Sequence, residues 1–259
     1  MQLLKVFKPK TPSLRHKIMP INKTKRLENK NLSIIKKATG GRNFLGSITT
    51  RHIGGGHKKR IKLIDNIGQI GAYSVAKIKQ VVYDANRSNF LVLCETKAKK
   101  QFLRLSIEGQ NINSNIYGKY YPLKKKIQLG DIVPLKQIPV GTKISNIQLK
   151  PNAITQIAKA AGVFAIVLKH EFNNTALKLA SKQIITISSN CLCTIGKNSN
   201  SLHNNTILGK AGANRWRGIR PTVRGEAMNP IDHPHGGETS GGVRLKTVYG
   251  KLAKFVKSK

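Results

Sequence analysis

YSVAKIKQVVYDANRSNFLVLCET at residues 73–96, followed by FLRLSI at 102–107, is the stretch that decides the fold. Its apolar runs are rich in β-branched and aromatic residues. The polar cluster Asp84-Ala85-Asn86-Arg87-Ser88 interrupts them, and such a cluster between two β-prone runs predicts a turn. In the last run Leu103, Leu105 and Ile107 alternate with Phe102, Arg104 and Ser106, which predicts a half-buried strand. Residues 60–65, 73–83, 90–96 and 102–107 therefore read as four strands. Beyond Pro134 and Pro139-Val140-Gly141 a second set follows at 163–170, 175–180, 183–188 and 191–195, with a hairpin turn at Asn173-Asn174. Residues 154–161 read as a helical stretch of a single turn. The spacings predict a mainly β chain with two small antiparallel barrels in tandem, divided near residues 130–141.

Outside these runs the chain is dominated by charge. Its 259 residues carry 47 Lys and Arg against 10 Asp and Glu, a formal net charge of +37. Such a charge repels itself, so a polyanionic partner is expected. Residues 1–62 hold 17 basic and 1 acidic side chains, a denser charge than the middle of the chain. The expected organisation is a basic N-terminal extension at 1–59, barrels at 60–129 and 130–200, and a basic Gly/Arg-rich extension at 201–259. The acid-free start could pass for a transit peptide. It has only Arg15 and Arg26 as arginines, however, and Pro9, Pro12 and Pro20 break any amphipathic helix. The longest apolar run, 160–168, is too short to span a bilayer, so no membrane role is expected. Cys94, Cys191 and Cys193 cannot form a disulfide framework, which fits a reducing compartment.

Three segments carry the chemistry. The first runs from Gly40 to Arg60. Its Gly54-Gly55-Gly56 lets backbone N–H groups approach phosphate, and Arg42, Arg51, His52, His57, Lys58, Lys59 and Arg60 supply charge and donors. A Walker nucleotide loop would need Lys58 followed by Ser or Thr and a helix. Lys59, Arg60 and a strand follow instead. The second segment, 209–225, holds Lys210, Arg215, Arg217, Arg220 and Arg224 with the only tryptophan, Trp216. Arginine suits bidentate phosphate contact, while Trp216 either stacks on RNA or packs as an anchor on a barrel. The third, 228–238, places Asn229, Asp232, His233 and His235 close together. It offers neither a recognised metal-ligand spacing nor a nucleophile beside Asp232 and His233.

The ten carboxylates are scattered singly, so no acid–base pair suggests hydrolysis, and no enzyme is expected. Cys191 and Cys193 are expected to pack as small apolar residues on one strand face. Two rival classes compete with an RNA-binding structural role. A sequence-blind nucleic-acid-packing protein or RNA chaperone would spread its lysines evenly, and a metal-dependent enzyme would rest on His233, His235 and Asp232.

GGRN-x-x-G-x-ITTRHIGGGHK at 40–58 and GKAGANRWRGIRPTVRGEAMNPIDHPHGG at 209–237 resemble the signatures of the bacterial-type large-subunit ribosomal protein two family. Weaker echoes are Lys8-Pro9 through Pro12, Arg15-His16, Tyr83-Asp84-x-Asn86-Arg87-Ser88 and Ile138-Pro139-Val140-Gly141-Thr142, in family order over nearly the whole chain. The resemblance implies an OB-like barrel followed by an SH3-like barrel. It implies primary binding to large-subunit rRNA, with extensions reaching towards the peptidyl transferase region. It also implies support for subunit association, tRNA binding and peptide-bond formation. The partners so implied are that rRNA, neighbouring ribosomal proteins and the small subunit through an intersubunit contact, with no small-molecule substrate.

The residues above, from Arg42 to His235, are then the RNA-binding set, with His233 positioning rather than catalytic. No resident cofactor is expected, only magnesium ions at the RNA interface. Phe44, Leu45 and Ser47 stand where the family usually has polar or basic residues, and the stretch after His235 also departs from its pattern. The resemblance begins near Lys8, and the chain is rich in Ile, Asn and Lys. Both suggest an organelle-encoded protein of a mitochondrial ribosome, with a plastid or bacterial cytoplasm as alternatives.

Overall fold

The computed structural model describes residues 3–21, 24–25, 27, 29–66, 75–118, 127–237 and 245–252. The chain divides into two compact units, Met1–Lys37 with Lys58–Ala211, and Ala38–His57 with Gly212–Lys259. The fold is mainly β, and the strands that pack a core all belong to the first unit.

That unit opens with two short antiparallel pairs, β1 (Leu3–Val6) on β2 (Ile18–Ile21), and β3 (Ser33–Ile35) on β4 (Arg60–Lys62). The OB-like part follows: β5 (Val75–Val82), β6 (Leu91–Thr96), β7 (Gln101–Leu105) and β8 (Asn115–Tyr117). They form an antiparallel sheet in the order β7-β6-β5-β8. Where the polar cluster predicted a turn, buried Asp84 accepts from the Asn86 N–H at 3.0 Å and from the Arg87 guanidinium at 2.5 Å. The turn is therefore an Asx turn with its carboxylate satisfied.

The alternation in 102–107 is present, but the strand is not half-buried. Phe102 packs with Ala76, Ile78, Val92, Cys94 and Ile116 on one face. Leu103 and Leu105 pack with Val82, Leu91 and Leu93 on the other. Leu27, Leu32 and Ile64 cover that second face, and Ile64 bridges to Leu103 in parallel. A register shift between Ile78 and Gln80 in β5 lets Ile78 serve one face and Val82 the other.

The SH3-like part comprises β9 (Ile132–Pro134), β10 (Lys143–Ser145), β11 (Ile147–Gln148), β12 (Thr155–Ile157), β13 (Ala165–His170), β14 (Asn174–Lys178), β15 (Ile184–Ser188) and β16 (Leu192–Ile195). Six of these form one sheet in the order β15-β14-β13-β10-β16-β9, and β11 pairs with β12 separately. Its core runs from Val133 and Leu135 through Ile144, Ile147, Val167 and Leu177 to Cys191 and Cys193. The helical turn expected at 154–161 is absent, because its β-branched Thr155 and Ile157 pair with Gln148 and Ile147. The buried Gln148 amide closes that hairpin by donating to the Ala153 carbonyl at 2.7 Å.

The OB-like and SH3-like parts share a backbone seam. Glu108 N–H donates to the Lys197 carbonyl at 2.7 Å, and Ser199 N–H to the Ser106 carbonyl at 3.0 Å. Buried Asn198 fixes its end by donating to the carbonyls of Ala158 and Ala160. Of the expected strand 73–83, residues 73–74 lie outside those described.

Candidate nucleic-acid interface

The second unit is built from two ribbons far apart in sequence, residues 40–57 and 212–225. The short helix α1 (Ala211–Trp216) leads into the second ribbon. It ends on a Schellman motif, with Ile219 N–H donating to the Asn214 carbonyl and Gly218 N–H to the Arg215 carbonyl. The motif requires a left-handed residue, and Gly218 has φ +91°.

From there the ribbons pair through their backbones. Gly54 N–H donates to the Gly218 carbonyl, His57 N–H to the Trp216 carbonyl and Arg220 N–H to the His52 carbonyl, each at 2.9 Å. Ile53 and Ile219 form an antiparallel bridge. A Cβ at position 56 would lie 2.7 Å from both Gly218 N and Cα, so glycine is what lets the chains approach. His52 Nδ1 lies 3.0 Å from the Pro221 carbonyl. A carbonyl only accepts, so that nitrogen carries the proton.

Backbone pairing leaves the side chains to face outward. Arg42, Arg51, His57, Arg217, Arg220, Arg224 and Asn229 are exposed. Trp216 is 63% exposed and belongs to none of the buried apolar clusters among the described residues. Arg215 is half-buried, with its guanidinium 3.6 Å from where a Gly55 Cβ would lie. Its Nη1 is buried without a hydrogen-bond partner, so a buried cationic donor lies beneath the glycine run. The described residues of this unit hold eight Lys and Arg against Glu226 and Asp232. The three buried apolar clusters all lie in the first unit. This is a charged, glycine-spaced surface whose rigidity comes from backbone hydrogen bonds rather than from a core.

His233 and His235 are half-buried, with ring centroids 4.8 Å apart. His233 Nδ1 accepts from the His235 N–H at 3.0 Å, and His235 Nε2 accepts from the Lys246 N–H at 2.9 Å. Each ring thus has a nitrogen that accepts from a backbone N–H, and the two contacts pin the loop. The Asp232 carboxylate makes no hydrogen bond to His233. Among the described residues no three His, Cys, Asp or Glu side chains converge as metal ligands.

Four members of the expected set fall in the first unit. Lys58, Lys59 and Arg60 enter and begin β4, and exposed Lys210 precedes α1. Arg60 is used structurally, since its Nε donates to Ser33 Oγ at 3.0 Å and ties β4 to β3.

The sequence reading also missed a shallow groove beside β5, β6 and β8, lined by Lys77, Lys79, Lys97, Lys99 and Tyr117. Lys79 pairs with Glu95 at 2.6 Å, and that hydrogen bond holds the Glu95 carboxyl below its ordinary value. The alternation of Lys77 and Lys79 in β5 was the signal available. Among the described residues no helix is long and apolar enough to cross a membrane.

A family profile described as "Ribosomal Proteins L2, RNA binding N-terminal domain" matches residues 29–118, and one described as "Ribosomal Proteins L2, C-terminal domain" matches 128–253. The chain is 43% identical over 235 residues to the "Large ribosomal subunit protein uL2" of Wigglesworthia glossinidia brevipalpis, covering 88% of this chain and 82% of that one. It is 40% identical over 258 residues to the protein of that name from Akkermansia muciniphila, covering 96% and 91%. With that of Buchnera aphidicola subsp. Acyrthosiphon pisum (strain Tuc7) it shares 42% identity over 236 residues, covering 89% and 84%.

Proposed function

Because this chain belongs to the ribosomal protein L2 family, we propose that it is a constituent of the large ribosomal subunit that binds rRNA directly. Its basic ribbons neutralise phosphate, while shape and local stacking give register. The observation that carries this reading is the second unit, where paired ribbons expose Arg217, Arg220, Arg224 and Trp216 over a glycine-rich backbone with no buried apolar cluster among the described residues. A surface of this chemistry suits a polyanion, and the role in this reading is assembly and positioning.

The RNA-binding set runs from Arg42 through His57, Lys58, Lys59 and Arg60, and from Lys210 through Arg224 to Asn229, His233 and His235. His233 serves by holding its loop, as its acceptor bond to the His235 N–H suggests. Neighbouring ribosomal proteins and an intersubunit contact with the small subunit are the further partners of this reading. Support for tRNA binding and peptide-bond formation belongs to the same reading. For location, the richness in Ile, Asn and Lys favours an organelle-encoded chain of a mitochondrial ribosome over a plastid or a bacterial cytoplasm.

The test is competition binding of the full chain to its own large-subunit rRNA and to tRNA at rising salt. Affinity for both should fall, with a log–log slope of about −0.7 to −0.9 per neutralised phosphate. The rRNA should remain bound at salt that releases tRNA. Equal affinity throughout would replace this reading with non-specific nucleic-acid packing.

A further inference from the structure

We propose that Phe44 is a stacking platform for an unpaired nucleobase of the large-subunit rRNA, a site that rests on the rRNA-binding reading above. Phe44 sits at the tip of a tight hairpin closed by the antiparallel bridge between Arg42 and Ile48. Within it the Asn43 N–H donates to the Ser47 carbonyl at 2.9 Å and the Gly46 N–H to the Asn43 carbonyl at 3.2 Å. The Asn43 side-chain oxygen accepts from the N–H groups of Leu45 and Ser47, both at 3.0 Å. At the base, Thr49 and Thr50 N–H both donate to the Gly41 carbonyl. The tip is thus tied by its own hydrogen bonds, and its side chains are what it has to present.

Those side chains are apolar and open to solvent. Phe44 is 94% exposed and Leu45 74%. A pre-ordered aromatic ring held away from its own fold has its whole face available to a partner, with little ordering left to pay on binding. Charge identifies the partner. Residues 29–64 contain no Asp or Glu and nine Lys and Arg, with Arg42 and Arg51 in the same ribbon as the tip. A ring on so basic a segment suits a base whose own phosphates meet the arginines. Only an unpaired base offers its π-face, since paired bases are already stacked. An apolar protein surface would have to be strongly acidic as well to sit there.

The test uses the full chain and its purified large-subunit rRNA. Phe44→Ala should weaken rRNA binding about 5- to 150-fold, the span that base–aromatic stacking carries. The salt slope should stay unchanged, because no phosphate contact is lost. Phe44→Trp should bind as the natural chain does, and Phe44→Leu should behave like Phe44→Ala. Phe44→p-benzoylphenylalanine, irradiated in assembled subunits, should crosslink to one rRNA position that is unpaired. A crosslink to a ribosomal protein, no crosslink, or natural affinity in Phe44→Leu would overturn the platform. If Phe44→Ala is silent while the natural chain still prefers its rRNA to tRNA, the platform fails alone. If that preference is also absent, the rRNA-binding reading fails with it.

Discussion

Gly56 and Gly218 meet backbone to backbone, so a single methyl group tests how the second unit is held. Gly56→Ala should cost about 1–3 kcal/mol of local stability through overpacking. Trypsin cleavage after Arg217 in the free chain should become correspondingly faster, and an unchanged rate would mean that the ribbons do not pair. Arg220→Ala keeps that pairing, because the contact with His52 is made by the backbone. It should instead weaken all RNAs alike and make the salt slope shallower by about 0.7–0.9.

The thiols illustrate the opposite case, residues whose role was legible from type alone. Burial pushes Cys94 up to about 11 from the usual 9.0, and it raises Cys191 and Cys193 too. A thiol that holds its proton more tightly folded than unfolded favours folding below about pH 9, and that contribution is lost as pH rises through 11. The denaturation midpoint should therefore fall across that window. Thiol reagents at pH 8 should leave all three cysteines unmodified until the chain unfolds.

At the scale of the element, β7 shows how far periodicity reaches. Alternation assigned Phe102 and Leu103 to opposite faces correctly, because side-chain direction is a local property of a strand. It could not show that both faces are covered. The cover for Leu103 comes from Leu27, Leu32 and Ile64, tens of residues upstream, and no local pattern records that contact. Both alanine substitutions should therefore be costly, about 3–5 kcal/mol for Phe102→Ala and about 2–5 kcal/mol for Leu103→Ala. A half-buried strand would tolerate one of them, so urea midpoints of the two variants decide the matter. The turn at 84–88 was readable because Asp84 bonds residues two and three positions away. Residues 154–161 were misread because three residues of strand set by a distant partner carry too short a pattern to recognise.

Across the whole molecule, the two units draw their order from different sources. The first buries Phe102, Leu103, Ile144, Leu177 and their neighbours, and its strands were largely visible in the sequence. The second was visible as chemistry, in the run of glycine, arginine and histidine, but not as geometry. Its ribbons at 40–57 and 212–225 pair across more than 150 residues, and an exposed backbone ladder leaves no apolar period. Amide hydrogen exchange should reflect this difference. In the free chain, residues 40–57 and 212–225 should exchange far faster than β5–β7 and β13–β16, and binding to rRNA should protect them selectively. Equal protection of both units in the free chain would mean that the paired ribbons resist opening as well as a packed core does.

The most direct measurement is sedimentation of a cell lysate on a sucrose gradient at low and high salt, following this chain by mass spectrometry. The chain should stay with the large subunit in stoichiometric amount through the high-salt wash, because many arginine contacts must break together for it to leave. Its release to the top of the gradient, with the subunit otherwise intact, would contradict its place as an rRNA-bound constituent of that subunit.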